Sequence, residues 1–205
     1  MPGRRERKKE MTRQALLEAS IALFADRGFD GTRIEDITER IDLAKGAFYN
    51  YFESKEALLA ELIFEGIGIL EHDNLTTSTD EQPGGLVQGY WEFLNHHPEY
   101  LSLIHQALGL LMEARGGNER LRESIGHLLR RLTSGLSPLG GSRQWTDDEC
   151  LDMAALVTGG VTGYRAFRLA AGYGPATAAV QRAITAGLVH MMGELKRSGG
   201  SAASS

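Results

Sequence analysis

The stretch LAKGAFYNYFESKEAL, residues 43 to 58, places four aromatic rings within five positions, Phe48, Tyr49, Tyr51 and Phe52, between Lys45 and Lys55. On a helix, residues four apart share a face, so Phe48 and Phe52 form one apolar stripe that Tyr49 and Tyr51 flank. The stripe suits packing. Lys45, Ala47, Asn50 and the two tyrosines are then left to point outward, and phenols, an ammonium and a carboxamide are groups that hydrogen-bond to phosphates and base edges.

Such a surface has to be held by the elements around it. From Met11 to Arg27 the apolar residues, among them Leu16, Ala19 and Leu23, recur at three- and four-residue spacing, and Gly28 followed by Phe29 predicts the helix end. Thr32 and Glu35 are spaced as a capping box, which predicts a second helix from about Arg33 to Ile41. Asp42, Leu43 and Ala44 leave a tight turn before a third helix over Lys45 to Phe52. Ser54 is the expected N-cap of a fourth, beginning at Lys55. Two short helices joined by a tight turn, behind a supporting first helix, are the plan of a helix-turn-helix DNA reader.

Charge is distributed accordingly. The chain of 205 residues has a formal net charge of −5, yet residues 1 to 13 hold six basic and two acidic side chains, whereas residues 56 to 205 hold 11 basic and 17 acidic. A basic arm on an acidic body suits contact with a polyanion at one end only.

On the residues ALLEASIALFADRGFDGTRIEDITERIDLAKGAFYNYFESKEALL, the first 60 positions resemble the DNA-binding domain of the TetR/AcrR family of bacterial transcriptional regulators. The resemblance implies that Tyr49, Tyr51 and Lys55 meet DNA phosphates and that Lys45, Gly46, Ala47 and Asn50 read base edges. Asn pairs bidentately with adenine, Lys donates to guanine, and Ala meets a thymine methyl. The family's usual Gly and frequent Ser in the turn are here Asp42 and Ala44. Asp tolerates the left-handed conformation, but Ala44 supplies no cap, at about 1 kcal/mol. The family's frequent basic residue on the second helix is Glu35 here, which leaves Arg33 as the replacement contact.

The remainder reads as helix after helix, about nine in all, with breaks at Asp73 to Gly85, His96 to Pro98, Gly116 to Asn118, Ser134 to Trp145 and Ala171 to Pro175. The expected class is all-α: a basic arm over 1–10, a helix-turn-helix domain over 11–55, a helical effector-binding and dimerisation domain over 56–197, and a disordered tail over 198–205. Residues 147–170 and 176–197 are too poor in charge for surface helices, and their small residues Gly159, Gly163, Ala179, Ala183 and Gly187 permit close helix approach. The resemblance implies a two-fold four-helix interface there. Tyr90, Trp91 and Leu94, then Leu101, His105, Leu108 and Met112, carry ring-bearing apolar faces that serve either as core or as the lining of an effector pocket, with Tyr164 and Arg165 as its polar groups. Such a lining favours a moderately hydrophobic small molecule, anionic or neutral, over a sugar or a metal ion.

Other classes are disfavoured. Pro98 breaks the helix that would align His96, His97 and Glu99 as metal ligands, and no phosphate loop, nucleophile elbow or Cys-His arrangement occurs, so no enzyme, metal or cofactor is expected. Cys150 is the single cysteine, no apolar run spans a bilayer, and no signal peptide is evident, so a cytoplasmic protein is expected. The expected function is a homodimeric, ligand-responsive repressor on a palindromic operator of double-stranded DNA. The alternatives are a non-switching architectural DNA-binding dimer, or a helical interaction module or enzyme.

Overall fold

The computed structural model describes residues 3–70, 83–113, 119–136, 146–174 and 176–198. Among these, nine helices and no strand occur: α1 (Arg4–Arg27), α2 (Ile34–Glu39), α3 (Lys45–Phe48), α4 (Lys55–Leu70), α5 (Pro83–His96), α6 (Pro98–Glu113), α7 (Glu119–Leu136), α8 (Asp147–Ala170) and α9 (Ala178–Ser198). The expected breaks at His96 to Pro98 and Ala171 to Pro175 separate α5 from α6 and α8 from α9, whereas α5 already begins at Pro83 and α7 runs through Ser134 to Leu136. Those at 73–82, 116–118 and 137–145 and the tail at 199–205 lie outside the described residues. The chain divides into two units, Met1–Gly66 with Pro98–Ile125, and Ile67–His97 with Gly126–Ser205.

In the first unit, Leu16, Leu17, Leu23 and Phe24 of α1 are buried with Ile37 of α2, Phe48, Phe52, and Leu58, Leu59 and Leu62 of α4. Each such side chain contributes roughly 1.5–3 kcal/mol by leaving water. Gly28 ends α1 at φ 74°, its N–H donating to the Phe24 carbonyl at 3.1 Å, which is the left-handed geometry that glycine adopts without a steric penalty. Gln106 of α6 donates to the same carbonyl at 3.2 Å and thereby fixes the C-terminus of α1. A β-carbon at Gly66 would lie 2.3 Å from the Tyr100 ring, so the contact of α4 with α6 needs a glycine there.

α1 is longer than its apolar spacing predicts. The helix continues back to Arg4, its start held by the Gly3 N–H donating to Glu6 at 2.7 Å, so Arg4, Arg5, Arg7, Lys8 and Lys9 of the basic arm ride on a helix continuous with α1. The polar face of this first stretch is all exposed, which is why an apolar pattern does not reveal it.

In the second unit, α5 contributes Val87, Tyr90, Trp91 and Leu94 to a buried core shared with Met153, Ala154, Val157 and Val161 of α8 and Leu188 of α9. α8 begins with a capping box: Thr146 Oγ1 accepts from the Glu149 N–H, and the Glu149 carboxylate accepts from the Thr146 N–H. No helix among the described residues is long and apolar enough to cross a membrane, and no group of three potential metal ligands occurs among them.

Candidate nucleic-acid interface

The loop between α1 and α2 is held from both sides. The buried Thr32 hydroxyl donates to the Gly28 carbonyl at 2.8 Å, which removes it from the predicted box with Glu35. The box is shifted by one residue: the Arg33 N–H donates to the Asp36 carboxylate at 2.8 Å, and that bond, more than the Arg33 guanidinium, holds the Asp36 carboxyl below its ordinary pKa. Sequence spacing admits both registers, and the burial of Thr32 against α1 decides between them. α2 consequently starts at Ile34 and ends at Glu39, shorter than expected.

Asp42 makes the turn. It adopts φ 53°, and the Leu43 N–H after it reaches back to the Thr38 carbonyl at 2.9 Å, a left-handed helix stop. Ala44 precedes α3 without any side-chain cap. The α-helical part of α3 is a single turn, Lys45–Phe48. The chain then tightens, with Asn50 N–H on Ala47 and Tyr51 N–H on Phe48 at 3.1 and 2.9 Å, before Ser54 Oγ accepts from the Ala57 N–H to start α4.

The short reading helix is anchored by its rings. Phe48 is wholly buried, with Phe52 at 5.8 Å and Tyr49 edge-on at 5.5 Å between centroids. Tyr49 and Asn50 are exposed, and Tyr51 and Ala47 half-buried. Gly46 is exposed too, and an added β-carbon there would meet nothing, so packing does not demand a glycine. Arg33 stands exposed at the start of α2.

Two cations are not free. Lys45 Nζ is ion-paired with the Glu35 carboxylate, which holds Glu35 below the ordinary carboxylate range and raises the Lys45 ammonium above its own. Lys55 Nζ donates to the carbonyls of Phe29 and Thr32 at 2.6 and 2.7 Å and lies 4.1 Å from the Phe29 ring centroid. A lysine that the resemblance assigns to phosphate thus spends two of its three protons on the loop that leads into α2. An open cleft of about 380 Å³ between α2, α3 and the start of α4 is bordered by Arg33, Glu35, Lys45, Tyr49 and Lys55.

The residues expected to line an effector pocket are divided between the units. Trp91 and Leu94 are wholly buried in the second unit, with Tyr164 edge-on to Trp91 at 6.1 Å and Arg165 donating to Asn95. Among the described residues, Trp91 Nε1 and Tyr90 Oη are buried without hydrogen-bond partners, and burial pushes the Tyr90 phenol well above its ordinary pKa. In the first unit Leu101 is buried and His105 Nδ1 lies 2.7 Å from the Leu101 carbonyl, so its own helix occupies one ring nitrogen. Met112 corrects the expectation: at 87% exposed it floors no interior, because α6 turns this side of its apolar face to solvent. Gly159, Gly163, Ala179, Ala183 and Gly187 are all exposed on α8 and α9.

Exposed donors on a ring-anchored turn of helix, set beside α2 by a left-handed residue, define the helix-turn-helix class of DNA-binding domain. Residues 16–62 match the profile of the bacterial regulatory proteins, tetR family. It is similar to the HTH-type transcriptional repressor DhaR of Mycobacterium sp. (strain GP1), 38% identical over 68 residues that make up 33% of this chain and 34% of DhaR. Similarity to the HTH-type transcriptional repressor NicS of Pseudomonas putida is 30% over 123 residues, 52% of this chain and 55% of NicS. The chain thus spans about a third and about half of the length of these two relatives. The transcriptional regulator FadR from Bacillus subtilis, solved in complex with stearoyl-CoA, has the same fold, with a TM-score of 0.66, 16% identity and coverage of 86% of this chain and 97% of FadR.

Proposed function

We propose that this protein is a homodimeric transcriptional repressor that reads a palindromic operator through α2 and α3 and is released by a small apolar effector. The supporting observation is the division of labour at α3: Phe48 is wholly buried while Tyr49 and Asn50, which follow it directly, are exposed. Tyr49, Tyr51 and Lys55 serve phosphates in this reading, and Arg33, Lys45, Gly46, Ala47 and Asn50 face base edges. Two heads on successive major grooves would stand about 34–36 Å apart. Such a protein works in the cytoplasm.

The dimer is assigned to α8 and α9. Gly159, Gly163 and Phe167 are exposed at four-residue spacing on α8, as are Ala179, Ala183 and Gly187 on α9, and small residues let two helix pairs pack closely across a two-fold axis. For the effector, the unpartnered Trp91 indole N–H and Tyr90 hydroxyl, with Arg165 nearby in the same unit, favour an apolar molecule with an acceptor or anionic end. That the fold neighbour FadR was solved with stearoyl-CoA makes an acyl compound a reasonable first trial.

The test is selection from a random duplex library at two salt concentrations, with light scattering of Gly163→Glu and Ala183→Glu alongside. A symmetric selected motif, lost in variants that have become monomeric, is the expected result. Asymmetric or sequence-independent binding, or full affinity from variants that remain dimeric, would refute the operator or the interface respectively.

A further inference from the structure

Glu35 sits at the second position of α2 and Lys45 opens α3, so their ion pair closes across the helix-turn-helix on its outer surface. Both side chains are well exposed, at 38% and 55%, so the core does not dictate the pairing. The carboxylate also accepts from its own backbone N–H, and these donors keep it ionised. The surface proposed to meet DNA therefore presents an ammonium joined to a carboxylate instead of a free ammonium.

The pairing matters because the two parts of DNA answer it differently. Phosphates are acceptors only: they compete with Glu35 for Lys45 and repel the carboxylate, so contact with the backbone alone breaks a pair without replacing Glu35's partner. A G·C pair in the major groove offers acceptors at guanine O6 and N7 next to a donor at cytosine N4, which is the complement of an ammonium beside a carboxylate.

Building on the DNA-binding function proposed above, we propose that Glu35 is a specificity-determining residue, which with Lys45 selects a G·C pair and suppresses binding to the DNA backbone at large. Removing its charge then has opposite effects on the two kinds of binding. Glu35→Gln frees Lys45 for a phosphate, tightens binding to unrelated DNA and steepens the salt dependence by about one unit. It also relaxes one G·C position of the selected motif, where discrimination falls by roughly ten- to a hundred-fold.

The experiment is library selection with the wild type, Glu35→Gln and Glu35→Ala, followed by affinity for the selected duplex and for a scrambled one, and thermal melting of each variant. Relaxation of a G·C position with tighter scrambled-duplex binding, at unchanged melting temperature, is expected from both variants. An unchanged motif with unchanged scrambled-duplex affinity overturns the inference and leaves the repressor reading standing, as does relaxation confined to an A·T position. A wild type that enriches no sequence overturns both together.

Discussion

The Lys55 ammonium lies 4.1 Å from the centre of the Phe29 ring and 2.6 Å from the carbonyl oxygen of the same residue. One side chain at the start of α4 thereby holds both the face and the backbone of the loop that sets α2 in place. Charge-assisted hydrogen bonds contribute about 1.5–3 kcal/mol and an exposed cation–π contact about 0.5–1 kcal/mol. Lys55→Ala should accordingly lower the melting temperature as well as weaken DNA binding, with the losses equal on all sequences. Lys55→Met, which keeps the apolar stem over Phe29, should recover part of the stability and none of the binding. Melting unaffected by either change would mean that the ammonium works at phosphate alone.

Tyr49 and Asn50 are neighbours with different expected signatures. Tyr49→Phe removes one phenol donor from an exposed ring and should cost about 0.5–1.5 kcal/mol of binding on every duplex, without changing stability. Asn50→Ala should instead relax one base-pair preference, at about 1–3 kcal/mol, with little effect on the scrambled duplex. Affinities of both variants on a set of single-base operator variants separate the roles, and identical profiles would reject them.

Trp91 and His105 test the effector site. Trp91 is wholly buried, so Trp91→Ala should open a cavity costing about 3–5 kcal/mol and say little about a ligand. Trp91→Phe is more informative, since it deletes the unpartnered N–H with a smaller change of volume. Effector-driven release should weaken in Trp91→Phe while the operator affinity without effector holds. His105→Ala loses the contact with the Leu101 carbonyl, at about 1 kcal/mol, and should leave release unchanged.

Glu65 of α4 gives a pH signature. Burial raises its carboxyl above the ordinary value of 4.5, against the attraction of Arg13 and with help from Glu61, Glu10 and Glu18. The folded state therefore holds this proton more tightly than the unfolded chain. The stabilisation linked to it is complete below pH 4.5 and is lost as pH rises through the raised value, so ionised Glu65 burdens the fold at neutral pH. Glu65→Gln should melt above the wild type at pH 7, and the gap should close as the pH falls below 4.5. Arg13 retains Glu61 and Glu10 as partners in that variant.

What the sequence discloses divides by the range of the interaction. Gly28, Asp42 and Ser54 act on their own backbone neighbourhood, and the helix stop, the left-handed turn and the N-cap lie where these residue types place them. Phe48 and Phe52 are likewise legible as a buried pair from spacing alone. The remaining features depend on pairings across the fold. Glu35 and Lys45 are ten positions apart, and Lys55 reaches back 26 residues to Phe29, so each looks like an unattached charge when read along the chain. Met112 continues the apolar spacing of α6 and was for that reason expected inside, but periodicity assigns a face without saying what covers it.

Pairing of two copies through the exposed stripes of α8 and α9, as proposed, would tie stability to abundance. A single chain leaves Phe167 74% exposed beside Gly159 and Gly163, and an isolated copy keeps that apolar surface in water. If two copies cover it, association stabilises the fold by mass action, so the melting temperature should climb as the solution is made more concentrated. Below the dissociation constant of the pair, occupancy of an operator that takes two chains would vary with roughly the square of chain concentration. A modest fall in synthesis would then vacate the DNA without any effector, making the cell's copy number an input alongside the ligand.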